Sequence, residues 1–288
     1  MMTNQIDQTA FSVLAVDGYP LSVTMYRPEE ADTGDVILIS SATAVPQRFY
    51  KPFAQFLSQH GYRVVTYDYR GIGDSAPKGL RGFQATMSDW VFSDMTAVVD
   101  WVDETLRPFH LIHVGHSFGG QTAGMLPNRH KIAAMVTMSA QSGYWKLQGG
   151  GQKTAVFFHV HITFPILSRL FGYMPWSLFG SAPDIPKGVA LEWGKWCRNP
   201  RYLLGDASLP LERYADFTAP VLAYSFDDDN WGTRQAVDAM MQAYPNVEHR
   251  HIIRAEKGIN AIGHFGFFRP KSKILWQETL SWLQQQSQ

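Results

Sequence analysis

One pentapeptide in this chain combines residue types at a spacing suited to covalent chemistry. Gly115-His116-Ser117-Phe118-Gly119 matches GxSxG, with strand-forming residues from His110 to Val114 before it and a helix expected after it, from about Gln121 to Met125. In that context the serine occupies a tight strand-to-helix turn that lifts its hydroxyl clear of the sheet. The positions two residues either way must then be small to avoid collision, and both are glycine. Without the flanking elements, the same five residues would be an ordinary glycine-rich connector.

A serine hydroxyl is a poor nucleophile at neutral pH, so it needs a base to take its proton and an acid to orient that base. In a strand-elbow-helix setting the partners follow in the order serine, acid, histidine, in loops beyond the carboxyl ends of strands. His264 fits, because Gly263-His264-Phe265-Gly266 follows the last strand pattern. His249 and His251 fall within that strand, and His110 and His113 lie in or beside the central one, so all four read as structural. For the acid, Asp227-Asp228-Asp229 follow the Val221 to Ser225 strand; one suffices, and the other two read as a solvated turn. His159 and His161 could contact one metal, but with no third ligand near them they read as packing or surface residues.

A second glycine pattern, Gly71-Ile72-Gly73-Asp74-Ser75-Ala76, matches the dinucleotide fingerprint GxGxxG/A and follows a strand. Pro77 and Gly79 come where a helix should aim at a pyrophosphate, and no acidic residue ends a strand about 20 residues later. The match lacks its context.

The elements that must position these residues alternate strand and helix. Strands are expected at Phe11 to Val16, Leu21 to Tyr26, Val36 to Ile39, Tyr62 to Tyr67, His110 to Val114, Ala133 to Met138, Val221 to Ser225 and about Glu248 to Arg254. Helices are expected from Phe49 to Gly61, Ser88 to Leu106, Arg234 to Ala243 and Ile274 to Gln285. This rhythm predicts an α/β fold with a mostly parallel central sheet covered on both faces. From 141 to 213 the rhythm fails: glycines and aromatic residues abound without a convincing strand, which predicts an inserted helical cap between two parts of one core, 1–140 and 214–288.

Composition sets outer bounds. The 288 residues are 45% hydrophobic and 17% charged, enough for an ample core and too little polarity for long disorder. Lys plus Arg and Asp plus Glu each total 25, so no net field would hold nucleic acid. A single cysteine, Cys197, forms no intrachain disulfide and suits a reducing compartment, the cytoplasm by default. Met1 to Gln5 lack the basic and apolar regions of a secretory signal. Ala155 to Trp176 resembles a membrane anchor, but His159, His161, Pro165 and Arg169 interrupt it, so no stable membrane insertion is expected.

Taken together, the elbow, the Asp68-to-Ser75 loop, the strand after Pro220 with its acidic turn, and Gly263-His264 resemble an α/β-hydrolase-fold serine hydrolase, of the branch with lysophospholipase-like and serine-aminopeptidase-like enzymes. The resemblance covers most of the chain; the cap matches poorly. It implies Ser117 as nucleophile, His264 as base and Asp229, nine residues beyond Pro220, as acid, with Asp228 the alternative. It also implies that the Asp68-to-Ser75 loop supports the site and that no metal or organic cofactor takes part. Where such enzymes often carry His-Gly, this strand ends Ser40-Ser41-Ala42-Thr43-Ala44, so the oxyanion hole would pair the Phe118 N–H with that of Ala42 or Thr43. The implied reaction is hydrolysis of a carboxylic ester or related acyl bond of a small molecule. The alternatives are acyl transfer by the same triad and a noncatalytic binding protein of the same fold. Within the cap, Phe157, Phe158, Phe164, Leu167, Leu170, Phe171, Trp176 and Phe179 are the candidates for an acyl pocket.

Overall fold

A computed structural model describes residues 7–28, 31–180 and 182–286; the Met1-to-Gln5 reading lies outside them. Eight strands form one sheet in the order β1-β2-β4-β3-β5-β6-β9-β10. These are β1 (Asp7–Leu14), β2 (Pro20–Arg27), β3 (Val36–Ser40), β4 (Arg63–Tyr67), β5 (Leu111–His116), β6 (Ile132–Met138), β9 (Val221–Phe226) and β10 (Val247–Ile252). β1 and β2 join antiparallel and every other pairing from β4 to β10 is parallel. The central strands β3 and β5 are buried along their whole length, which is why Val36 to Ile39 of β3 read as an unbroken apolar run rather than an alternating one.

Helices cover both faces, and the core divides into two clusters, one on each side of the sheet. α1 (Lys51–Ser58) and the long helix α2 (residues 87–106) follow the early strands. α2 starts one residue earlier than expected because Thr86 and Asp89 form a reciprocal capping box. β1 starts at Asp7, well before the expected Phe11: it is an exposed edge strand fixed by pairing with β2, so it carries little apolar signal.

Between β6 and β9 the chain leaves the sheet. It forms a 20-residue helix, α4 (Gln152–Phe171), a hairpin of two two-residue strands, β7 (Tyr173–Met174) and β8 (Ile185–Pro186), and α5 (Lys187–Arg198). Glu192 on α5 accepts from Ser88 Oγ at 2.6 Å and from the Ser88 N–H at 2.9 Å, tying this insertion to α2. α6 (Arg234–Met241) and α7 (Lys273–Gln286) complete the core. Although α4 carries the residues that interrupt its apolar run, its backbone stays helical throughout. Its histidines, Pro165 and Arg169 sit within one continuous helix, with a wide π turn at His159–Thr163, and by length and composition alone it would be long and apolar enough to cross a membrane.

Candidate active site

Ser117 stands between β5 and α3 (Phe118–Gln121), with φ 49° and ψ −116°. This is a sparsely populated conformation for a residue with a side chain, and packing enforces it. A Cβ on Gly115 would collide with the backbone of Gly120, and one on Gly119 with the Ser40 carbonyl, so the two GxSxG glycines are steric requirements of the turn. The helix begins at Phe118, directly after the serine and three residues earlier than expected. This leaves the Phe118 N–H at a first-turn position with no intrahelical partner.

Loops at the carboxyl ends of β9 and β10 bring Asp229 and His264 to this turn. His264 Nδ1 lies 2.8 Å from Asp229 Oδ2, which also accepts from Ser139 Oγ at 2.6 Å. Asp229 Oδ1 accepts from the Trp231 and Gly232 N–H groups, each at 2.8 Å. Burial alone would raise the Asp229 pKa; the facing His264 and these donors hold it well below the usual carboxylate range instead. Ser117 and His264 open on one cavity, but the resting Ser117 hydroxyl donates to Gln141 Oε1 at 3.3 Å rather than to His264. Catalytic hydrogen bonds are often loose in free enzymes.

The triple-Asp run divides its work. Asp228 is no solvated turn residue: its carboxylate accepts from the Ile262 and Gly263 N–H groups at 2.9 and 2.8 Å and pairs with Arg254 at 3.2 Å, clamping the loop that carries His264. Asp227 is exposed and accepts only from the Arg254 N–H, at 3.2 Å.

A buried relay links the loop after β3 to that of His264. The Ala42 N–H donates to Tyr50 Oη at 2.9 Å, and Tyr50 Oη lies 2.8 Å from His116 Nδ1. His116 Nε2 lies 2.8 Å from the His264 carbonyl oxygen. A carbonyl only accepts, so Nε2 carries the proton and Nδ1 receives the Tyr50 hydroxyl hydrogen. Burial pushes the His116 pKa down to about 3, keeping it neutral. With its N–H engaged by Tyr50, Ala42 loses its candidacy as oxyanion donor, whereas Thr43 lines the cavity beside Ser117. Tyr50, Ser139 and Gln141 carry no motif; polar residues just beyond parallel strands were the available signal for the last two.

The Asp68-to-Ser75 loop holds no pyrophosphate cradle. Gly73, at φ 53°, packs where a Cβ would meet the Asp68 carboxylate, which accepts from the Gln47 and Asp74 N–H groups at 2.7 and 3.0 Å. The remaining histidines sit elsewhere. His113 is buried against Ser40, His110 meets Asp35, and His249 and His251 share Ser225 Oγ. His159 stacks near Phe164, and His161 bonds the Phe157 carbonyl.

The cavity over Ser117 is about 240 Å³, and the described residues lining it carry no Lys, Arg, Asp or Glu. Its walls include Trp176 and Trp193 from the insertion and Trp231 from the acid loop, with Trp193 and Trp231 stacked at 6.3 Å. Of the eight aromatic and aliphatic candidates, Trp176 lines this cavity, and Phe164 lines a smaller one behind it. Phe158, Leu170 and Phe179 instead face solvent, because α4 buries its opposite side, Val156, Val160 and Phe164.

Solved structures share this architecture at low identity. Est1E from Butyrivibrio proteoclasticus, with ferulic acid bound, superposes with a TM-score of 0.67 at 16% identity, covering 96% of this chain and 99% of that one. An esterase from Exiguobacterium antarcticum gives 0.64 at 14% identity, covering 96% and 100%. A putative carbamate hydrolase, RutD, of Variovorax paradoxus (strain S110) is 32% identical over 127 residues, which span 43% of this chain and 43% of that relative's length. The model of the alpha/beta hydrolase family matches residues 36–273, six of the eight strands of the sheet with their loops and the insertion. The chain belongs to the alpha/beta hydrolase family.

Proposed function

We propose that this protein is a serine hydrolase that cleaves a carboxylic ester, or a closely related acyl bond, of an apolar small molecule. The observation that carries the reading is the 2.8 Å bond from His264 to the buried Asp229, placed at the cavity into which Ser117 opens. Ser117 Oγ turns from Gln141 to His264 and attacks the acyl carbon as His264 Nε2 takes its proton. The Phe118 and Thr43 N–H groups receive the oxyanion, and Asp229 stabilises the imidazolium. Collapse expels the alcohol, protonated by His264. A water molecule deprotonated by His264 then attacks the acyl-enzyme, releasing the acid and restoring Ser117.

The uncharged lining with its three tryptophans supports an apolar acyl or alcohol group over a peptide or a phosphate-bearing one. The esterases of the same fold and the putative carbamate hydrolase support the ester or related acyl class. Each buried CH₂ contributes roughly 0.8 kcal/mol, so kcat/KM measured from acetyl to dodecanoyl esters is expected to climb until the cavity is full. A flat or steadily falling profile, or higher activity on aminoacyl amides, would contradict the proposed substrate class.

A further inference from the structure

The solvent face of α4 carries an apolar stripe from Phe158 to Leu170. Phe158, Ile162, Ile166 and Leu170 recur every fourth residue and are 51%, 44%, 56% and 68% exposed; Leu178 and Phe179, beyond the helix, are exposed as well. A 20-residue helix is about 30 Å long, so these side chains form a stripe rather than scattered exposures, which marks a contact surface.

Its charge identifies the contact. The 43 residues from Gln141 to Pro183 contain no Asp or Glu, while Lys146, Lys153 and Arg169 are all exposed. Ser75 to Ser88 is likewise free of acids and carries the exposed Lys78 and Arg81, the latter lying against Gly172 at the end of α4. Asp184, the acid that closes the first stretch, accepts from the Ser177 N–H at 2.8 Å.

We infer that this face rests on an anionic lipid surface, with α4 lying in the plane of the headgroups. An apolar stripe with Arg169 beside Leu170 and Arg81 at its C-terminal end, in a stretch free of acids, fits an interfacial helix. A second copy fits poorly, since pairing the stripe with itself would bring the same cations together. The helix does not cross the bilayer: Val156, Val160, Phe164 and Ser168 are buried on its inner side, and Arg198 of α5 donates to the Val160 carbonyl. Leu178 and Phe179 closely follow Trp176, which lines the cavity over Ser117, so the docked face adjoins the mouth of the site. The docking itself does not depend on the reaction proposed above.

The test is co-sedimentation of the full chain with phosphatidylcholine vesicles, with and without phosphatidylglycerol, at low and high salt. Binding is expected to the anionic vesicles and to weaken with salt. Ile166→Ser with Leu170→Ser should weaken it by about tenfold or more, and Arg169→Gln by about fivefold. Hydrolysis of a soluble short ester should be unchanged in these variants, and Ser117→Ala should bind vesicles like the wild type whatever its activity. Failure to bind anionic vesicles, equal binding to neutral ones, or binding insensitive to the double substitution would overturn the inference. So would a wild-type dimer in sedimentation velocity that the double substitution dissociates.

Discussion

Ser139 Oγ donates to the same Asp229 oxygen that receives His264 Nδ1, at 2.6 Å against 2.8 Å. Ser139 sits at the end of β6 with φ 52°, so its backbone, like that of Ser117, is held in the left-handed region at the site. Removing the hydroxyl leaves Asp229 its two amide donors but frees the shared oxygen to swing. Ser139→Ala should therefore lower kcat on a model ester by about tenfold with KM little changed, since one charge-assisted hydrogen bond is lost. Unaltered kcat in a folded variant would show that Asp229 needs no such support.

The three neighbouring acids should separate cleanly. Asp229→Asn, which removes the charge facing the imidazole, should cost on the order of 10⁴ in kcat. Asp228→Asn should act mainly through the loop it clamps, lowering Tm and activity together by a modest factor. Asp227→Asn should change neither. Side-by-side kcat and Tm values for the three variants check this order, and a loss in Asp228→Asn exceeding that in Asp229→Asn would reassign the acid.

Tyr50→Phe probes the buried relay. The substitution leaves the Ala42 N–H and His116 Nδ1 without the hydroxyl that joins them, so it should destabilise the fold by about 1–3 kcal/mol per orphaned group. Denaturant melts would register this as a lower midpoint at unchanged slope.

His113 predicts a pH dependence. Burial lowers its pKa to about 3 from an ordinary value near 6.5, so between those limits the unfolded chain binds a proton that the folded one refuses. Stability must rise with pH across that window and fall on acidification, by about 2 kcal/mol between pH 7 and pH 5 from this residue. His113→Gln should be less stable at pH 7 yet show a shallower pH dependence by that amount. Equal slopes in the two proteins would mean that His113 is protonated in the fold.

Much of this was legible in the sequence, for identifiable reasons. The parallel strands announce themselves because burial on both faces demands unbroken apolar runs such as Val36 to Ile39. The elbow is visible because its glycines are steric necessities. The first half of the edge strand β1, Asp7 to Ala10, carries no such signal because pairing with β2, rather than an apolar face, defines it. The clamp made by Asp228 leaves no local signal because its backbone partners at Ile262 and Gly263 lie more than 30 residues away in sequence. Phe158 and Leu170 face solvent rather than the expected pocket because composition reports apolarity without direction.

The most direct test of the account is mass spectrometry after treatment with a fluorophosphonate, a probe that phosphonylates activated serines. A single adduct is expected, mapped to Ser117, that disappears in folded Ser117→Ala and forms far more slowly in His264→Ala. An adduct on another serine, or hydrolysis of a model ester that persists in Ser117→Ala, would contradict it.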